Sequence, residues 1–284
     1  MEDSMKKLCL VLILGALFFG CKSTPEETAP EPEPVQTVQQ APAPAAPEID
    51  AATHYSRGNE HYKKNEFDQA IAEYSEAIKK DPTMADAFIA RGNSQSSRHE
   101  LKEALKDYSA GAQINPDYDH YAKGYSHLMA QNYRAAVDEF SQAIEQESNL
   151  LAAYNDRGLS YANLKNTDKA IEDYNESLKV NGNSAATYNN LGNAYLSKRD
   201  HEKAIENFSR ASELVPGMSF PYSGRGLANF RLKEYDKAIE DYSKAIDMTP
   251  EDSILYSLRG NAYSAKGEKD LADADHATAA KLKK

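Results

Sequence analysis

Four histidines fall in two pairs with one spacing, His54 with His61 and His120 with His127. A separation of seven would set each pair on one face of a helix, as metal ligands require. No carboxylate or cysteine stands at ligand spacing to complete either site. The same two slots elsewhere in the chain hold Tyr154 and Tyr161, Tyr188 and Tyr195, and Tyr256 and Tyr263. The four histidines are therefore read as packing residues, and neither a metal nor any other cofactor is expected. No GxxxxGK, GxSxG, HExxH or GxGxxG stretch occurs, and the abundant acids recur in slots that suit a solvated helix surface. An enzyme is not expected.

One charged pattern has a more definite chemistry, and it is indexed to a ladder of glycines. Gly58, Gly92, Gly124, Gly158, Gly192, Gly226 and Gly260 are spaced by 34 residues, with a single interval of 32 between Gly92 and Gly124. The residue before the glycine is Arg57, Arg91, Lys123, Arg157, Arg225 or Arg259, and fifteen residues after it stand Glu73, Asp107, Glu139, Asp173, Asp241 and Asp275. Around Gly192 both partners are missing together, replaced by Leu191 and Asn207. Joint loss within one unit predicts a half-buried ion pair between two helices of that unit, fixing their register more than adding net stability.

The rest of the unit supports a helix pair. Twelve residues after each glycine stands an alanine: Ala70, Ala104, Ala136, Ala170, Ala204, Ala238 and Ala272. Sixteen after it comes a ring (Tyr74, Tyr108, Phe140, Tyr174, Phe208, Tyr242), replaced in the last unit by His276. Nineteen after it the side chain is small again: Ala77, Gly111, Ala143, Ser177, Ala211, Ala245 and Ala279. Small residues let two helices approach closely and the ring fills the wedge beside them. Pro82, Pro116, Pro216 and Pro250 close four of the units, where a missing donor and fixed φ stop a helix.

With these residues in place, the chain resembles the tetratricopeptide repeat family. The resemblance implies an all-α fold: a right-handed superhelical solenoid of seven antiparallel helix pairs, over about 51–84, 85–116, 117–150, 151–184, 185–218, 219–252 and 253–284. It also implies a concave inner wall that binds protein partners. Polar residues at both ends, Arg57 and His61 at one and Asp273 at the other, suit the exposed ends of such a stack.

Residues 5–21 read MKKLCLVLILGALFFGC, two lysines and an apolar run ending in a small residue before Cys21. This is the layout of an export signal. Its end resembles a bacterial lipobox with Phe18 in the usual leucine position, which implies removal of residues 1–20 and acylation of Cys21. Glu2 and Asp3 do not suit a positive leading end, so Met5 is read as the start. From Lys22 to Asp50 the chain holds seven of its twelve prolines and little that could pack, a tether within 21–50. Fully extended at about 3.1 Å per residue, it would reach about 90 Å. The net charge of −11, with −5 of it on residues 22–50, leaves the repeats mildly acidic and argues against a nucleic-acid partner.

In the family the inner wall is lined from the first helix of each pair, three before, one after, and four or five after the glycine. The third repeat presents Tyr118, Tyr121, Tyr125, Leu128 and Met129 there, and the fifth presents Asn189, Asn190 and Asn193. Two readings of the third repeat stay open: an exposed aromatic docking face, or a cluster turned into the stack by the two-residue deletion. No basic residue lines this wall in repeats two to five, which excludes a clamp for an acidic chaperone tail. The expectation is a non-enzymatic scaffold of the bacterial cell envelope that binds a protein or peptide. It would be held by lipid at Cys21, with the periplasmic face of the outer membrane favoured by Lys22 and the cell surface as the other placement. Alternatives are an accessory subunit that binds a small apolar ligand for a transporter, and a mechanical spacer.

Overall fold

The computed structural model describes residues 49–146 and 151–283. The export segment, Cys21 and all but the end of the tether lie outside the described residues. Within them the chain forms fourteen α-helices in seven pairs and no strand: α1 (Ala51–Lys63) with α2 (Phe67–Lys80), α3 (Ala85–Ser97) with α4 (Leu101–Ile114), α5 (Asp119–Met129) with α6 (Tyr133–Gln146), α7 (Leu151–Asn163) with α8 (Thr167–Val180), α9 (Ala185–Ser197) with α10 (His201–Leu214), α11 (Ser219–Arg231) with α12 (Tyr235–Met248), and α13 (Ser253–Lys266) with α14 (Lys269–Leu282). No helix among the described residues is long and apolar enough to cross a membrane.

Each pair turns through one residue in the left-handed region. Asn65, His99, Gln131, Lys165, Arg199 and Lys233 have φ of 59–65°, and only the last turn uses a glycine, Gly267. The next residue reaches back over the turn, as Glu66 N–H does to the His61 carbonyl and Asp200 N–H to that of Tyr195, both at 3.0 Å. These bonds satisfy carbonyls that the helix end would leave orphaned.

The ring of the second helix lies directly over the glycine of the first. A Cβ at Gly192 would stand 2.6 Å from the Phe208 ring, closer than real atoms approach. Glycine in a helix interior costs about 1 kcal/mol against alanine, yet any larger residue here would push the pair apart. The alanines at the second position and all six rings are at most 1 % exposed.

The charged pattern is realised in four repeats. Arg91 grips Asp107, Arg157 grips Asp173, Arg225 grips Asp241 and Arg259 grips Asp275, with contacts of 2.7–3.2 Å from Nε and Nη2 to the carboxylate. Each guanidinium also lies 5.5–5.7 Å from the ring three residues earlier, Phe88, Tyr154, Tyr222 or Tyr256. Its Nη1 crosses to the preceding repeat, donating to Ser75, Ser141, Ser209 or Ser243 at 3.0–3.1 Å. The arginine therefore ties neighbours together as well as fixing register within a pair. For Arg157, Arg225 and Arg259 the hydrogen bonds from the carboxylate raise the guanidinium pKa above its ordinary value.

Repeats one and three depart from the expectation. There the acid is glutamate, one methylene longer, and it reaches a histidine one turn earlier: Glu73 meets His54 and Glu139 meets His120, both at 2.7 Å. Arg57 is left exposed and Lys123 turns to Asp119 of its own helix. In repeat five Leu191 is buried and Asn207 bonds the Lys203 carbonyl, while the serine of the preceding repeat has become Asn175. The cross-tie is thus missing between repeats two and three and between four and five. Those two junctions, α4 with α5 and α8 with α9, are also the most sparsely packed between consecutive pairs.

The deletion is absorbed ahead of α5, where a short 3₁₀ turn, Pro116–Tyr118, replaces the first helical residues. The third-repeat rings are core, not an exposed face. Tyr121 is 0 %, Tyr125 2 % and Tyr118 7 % exposed. Tyr121 and Tyr125 pack edge-on against Tyr108 with centroids 4.8 and 4.7 Å apart, and Tyr121 also touches Phe140. Tyr118 donates to Asp86 at 2.6 Å and Tyr125 to Ser96 at 3.1 Å. Their hydroxyls are satisfied inside the protein, so these rings cannot meet a partner as a free aromatic face.

Two outcomes follow for stability. Tyr121→Ala should cost about 3–5 kcal/mol, read as a large drop in melting temperature; a variant that melts like the wild type would mean the ring is not core. Arg157→Leu alone strands a buried carboxylate and should cost about 3–5 kcal/mol. Arg157→Leu with Asp173→Asn, the arrangement repeat five already uses, should recover most of that loss in urea unfolding. Additive losses would refute the pairing.

Candidate binding site

The first helices α3, α5, α7 and α9 surround a cavity of about 420 Å³, closed on one side by the start of α11. Two contacts bridge distant repeats. Asn65, in the first turn, donates from Nδ2 to the Asn183 carbonyl at 3.0 Å, and the His99 ring meets Phe220 edge-on at 5.9 Å.

The two groups of residues expected on the inner wall converge here. Tyr125, Leu128 and Met129 of α5 line one side, and Asn189 and Asn190 of α9 line another. Tyr121 lies beneath the floor, Asn193 is exposed, and Tyr118 is directed to Asp86 instead. Phe220 of α11 and Met218 just ahead of that helix complete the apolar wall.

At the floor stands a residue the glycine ladder did not single out, Asp156 of α7. It is 7 % exposed, accepts from the Tyr121 hydroxyl at 2.9 Å and from Asn155 Nδ2 at 3.2 Å, and has no ion pair among the described residues. Asn155 is held in turn by Asn190 Nδ2 at 3.1 Å and the Thr187 hydroxyl at 3.3 Å, both donating to its Oδ1. Burial pushes the Asp156 carboxyl up to about 6, against the pull of its two hydrogen bonds. Burial also raises the surrounding phenols, Tyr62 and Tyr125 to about 12, and the Asp156 charge adds to both. A signal for this residue does exist in the sequence. Two before the glycine, the other repeats carry Ser56, Ala90, Ala122, Asn190, Gly224 and Leu258, so Asp156 is the lone charge in that slot.

Of the paired histidines, His61, in the last turn of α1, bonds Glu66 and His120 bonds Glu139, both at 2.7 Å. Among the described residues no group of three or more histidines, cysteines and acids could hold a metal ion.

The model for the tetratricopeptide repeat matches residues 149–216, and a second model for the same repeat matches 58–97 and 226–267, together more than half of the chain. A crystal structure of MamA is 26 % identical with a TM-score of 0.53, over 56 % of this chain and 94 % of that one. A fragment of MamA from Desulfovibrio magneticus RS-1, at 19 % identity and TM-score 0.56 over 60 % and 96 % of the two chains, is alike in fold. So is the Cut9–Hcn1 hetero-tetramer of APC/C, at 20 % and 0.58 over 75 % and 43 %. No curated protein matches the sequence significantly.

The raised Asp156 pKa has a definite sign for stability. The folded chain holds this proton up to about pH 6 while the unfolded chain releases it near the ordinary value of 3.8. Asp156 therefore weakens the fold progressively as pH rises from about 4 to above 6, by roughly 3 kcal/mol at most. Asp156→Asn should match the wild type near pH 4 and exceed it in urea unfolding at pH 7. The difference between the two proteins cancels the other carboxylates; a gap that does not grow with pH would refute the assignment.

Proposed function

The chain belongs to the tetratricopeptide repeat family, whose fold serves protein–protein interaction, and from that premise we propose a lipid-anchored scaffold of the cell envelope that binds a protein or peptide. Lipid at Cys21 and the tether to Asp50 would hold the solenoid near a membrane, with the periplasmic face of the outer membrane as the favoured site. The support for the anchor is the order of charged, apolar and small residues before Cys21.

The support for partner binding is a pattern in the slot one after the glycine. In repeats one and two Asn59 and Asn93 accept from the ring hydroxyls of Tyr74 and Tyr108 at 2.8 and 3.0 Å. In repeats five and seven the ring is Phe208 or His276, which offers no hydroxyl, and the amides of Asn193 and Asn261 are exposed instead. Ser197 and Ser264, one turn further on the same helices, are exposed too. Amides and hydroxyls in a row can both donate to and accept from an extended peptide backbone. The open stretch of inner wall for such a partner is thus repeats five to seven.

A second reading, a subunit that binds a small ligand, is favoured by one specific observation: the first helices of repeats two to five line a half-open cavity of ligand size.

Cys21→Ala should lose fatty-acid label and leave the membrane fraction; equal label in wild type and variant would overturn the anchor. A photo-crosslinking residue at Asn193 should give one discrete adduct in the native cell. The same residue at Glu206, exposed on α10, should not. Identical adducts from both positions would rule out the inner wall.

A further inference from the structure

We propose that the cavity between α3, α5, α7 and α9 binds a primary ammonium carried on a short hydrocarbon body, with the nitrogen seated on Asp156. The proposal rests on the small-ligand reading and names its chemical class. Three observations point the same way. First, Asp156 is a buried carboxylate with no cation beside it among the described residues, and its two protein donors, Tyr121 and Asn155, leave lone pairs uncommitted. A buried charge is costly unless paired, so an arriving cation gains an interaction that the empty site lacks.

Second, Asp156 is not the only acceptor to spare in the lining. One N–H each of Asn155 and Asn190 and the hydroxyls of Tyr121, Tyr125 and Ser97 donate to protein acceptors. Asn189 Oδ1, in contrast, is a buried acceptor with no partner among the described residues. An ammonium group brings three donors and no acceptor, which suits both oxygens; a carboxylate would face the Asp156 charge.

Third, the wall opposite this polar floor is apolar and aromatic: Tyr125, Leu128, Met129, Tyr133, Met218 and Phe220. It suits a hydrocarbon body, and its rings favour a nearby positive charge. Phe220 is 57 % exposed, so the ring that pairs with His99 stands at the mouth of the cavity.

The test uses the full chain in mild detergent at pH 7, titrated calorimetrically with n-butylammonium, n-butanol and butyrate, with detergent alone as blank. The ammonium should bind at one site per chain at least tenfold more tightly than the alcohol, and butyrate should not bind. Asp156→Asn, which stays folded by the argument above, should bring the ammonium down to the level of the alcohol. Leu128→Trp, checked by its melting temperature, should fill the cavity and remove binding of both. Alcohol bound as tightly as ammonium would overturn the ammonium assignment and leave the small-ligand reading standing. No binding by any of the three would overturn both. An ammonium preference that survives in Asp156→Asn, or binding that survives in folded Leu128→Trp, would place the site elsewhere and overturn the proposal.

Discussion

The contact between a helix glycine and the ring sixteen residues later is the constraint from which the rest of the solenoid follows. It brings the two helices of a pair so close that a single added carbon at Gly192 would overlap Phe208. Because the helices are only 11–14 residues long, neither would persist alone in water, and their stability comes from this shared burial. The small residues at twelve and nineteen after the glycine serve the same approach. His276 in the final repeat keeps the geometry with a polar ring, on an end helix that leaves Leu271 and Leu282 half in solvent.

The pairs are then joined by a second device, the arginine that holds its own repeat's aspartate and the preceding repeat's serine. Where it is present, three groups are satisfied by one planar cation whose charge never titrates away. Where it lapses, at the junctions into repeats three and five, helix packing thins. The cavity is walled chiefly by helices of repeats two to five, which meet across those junctions. A repeat array is nearly one-dimensional in its energetics, so relaxed junctions let the stack bend locally without weakening its other contacts. Asn65 meets Asn183 and His99 meets Phe220, contacts between repeats that are not neighbours.

The asparagine one after the glycine shows how one slot can change role along such an array. Beside a tyrosine it is an internal acceptor, and beside a phenylalanine the same amide is released to the surface. The slot two before the glycine behaves similarly. It is small or neutral wherever helices only need to pass one another, and it holds Asp156 at the floor of the cavity. Function in this fold is written as departures from the repeat, because positions that obey the repeat are occupied with packing.

What the sequence determined by itself was most of what depends on one repeat. The glycine, alanine and ring offsets define the helix pairs, and the joint loss of Leu191's and Asn207's charged counterparts reveals the Arg–Asp pairing, since both partners lie within a single unit. In repeats one and three the pairing expected of Arg57 and Lys123 did not form, because the longer glutamate reaches His54 or His120 instead. The serine tie also has a local trace, in Asn175 ahead of the repeat that lacks arginine. Only the tertiary structure decided how repeats meet at a distance. Small rotations between units accumulate, and the two-residue deletion before Gly124 changes that sum without altering any local pattern. In the assembled stack Tyr121 and Tyr125 are buried, Leu128 and Met129 share a cavity with Asn189 and Asn190, and Asp156 is buried at its floor. The environment of a side chain there is set by residues 30 or more positions away, as with Tyr121 and Asp156, so no pattern read within one repeat could place it.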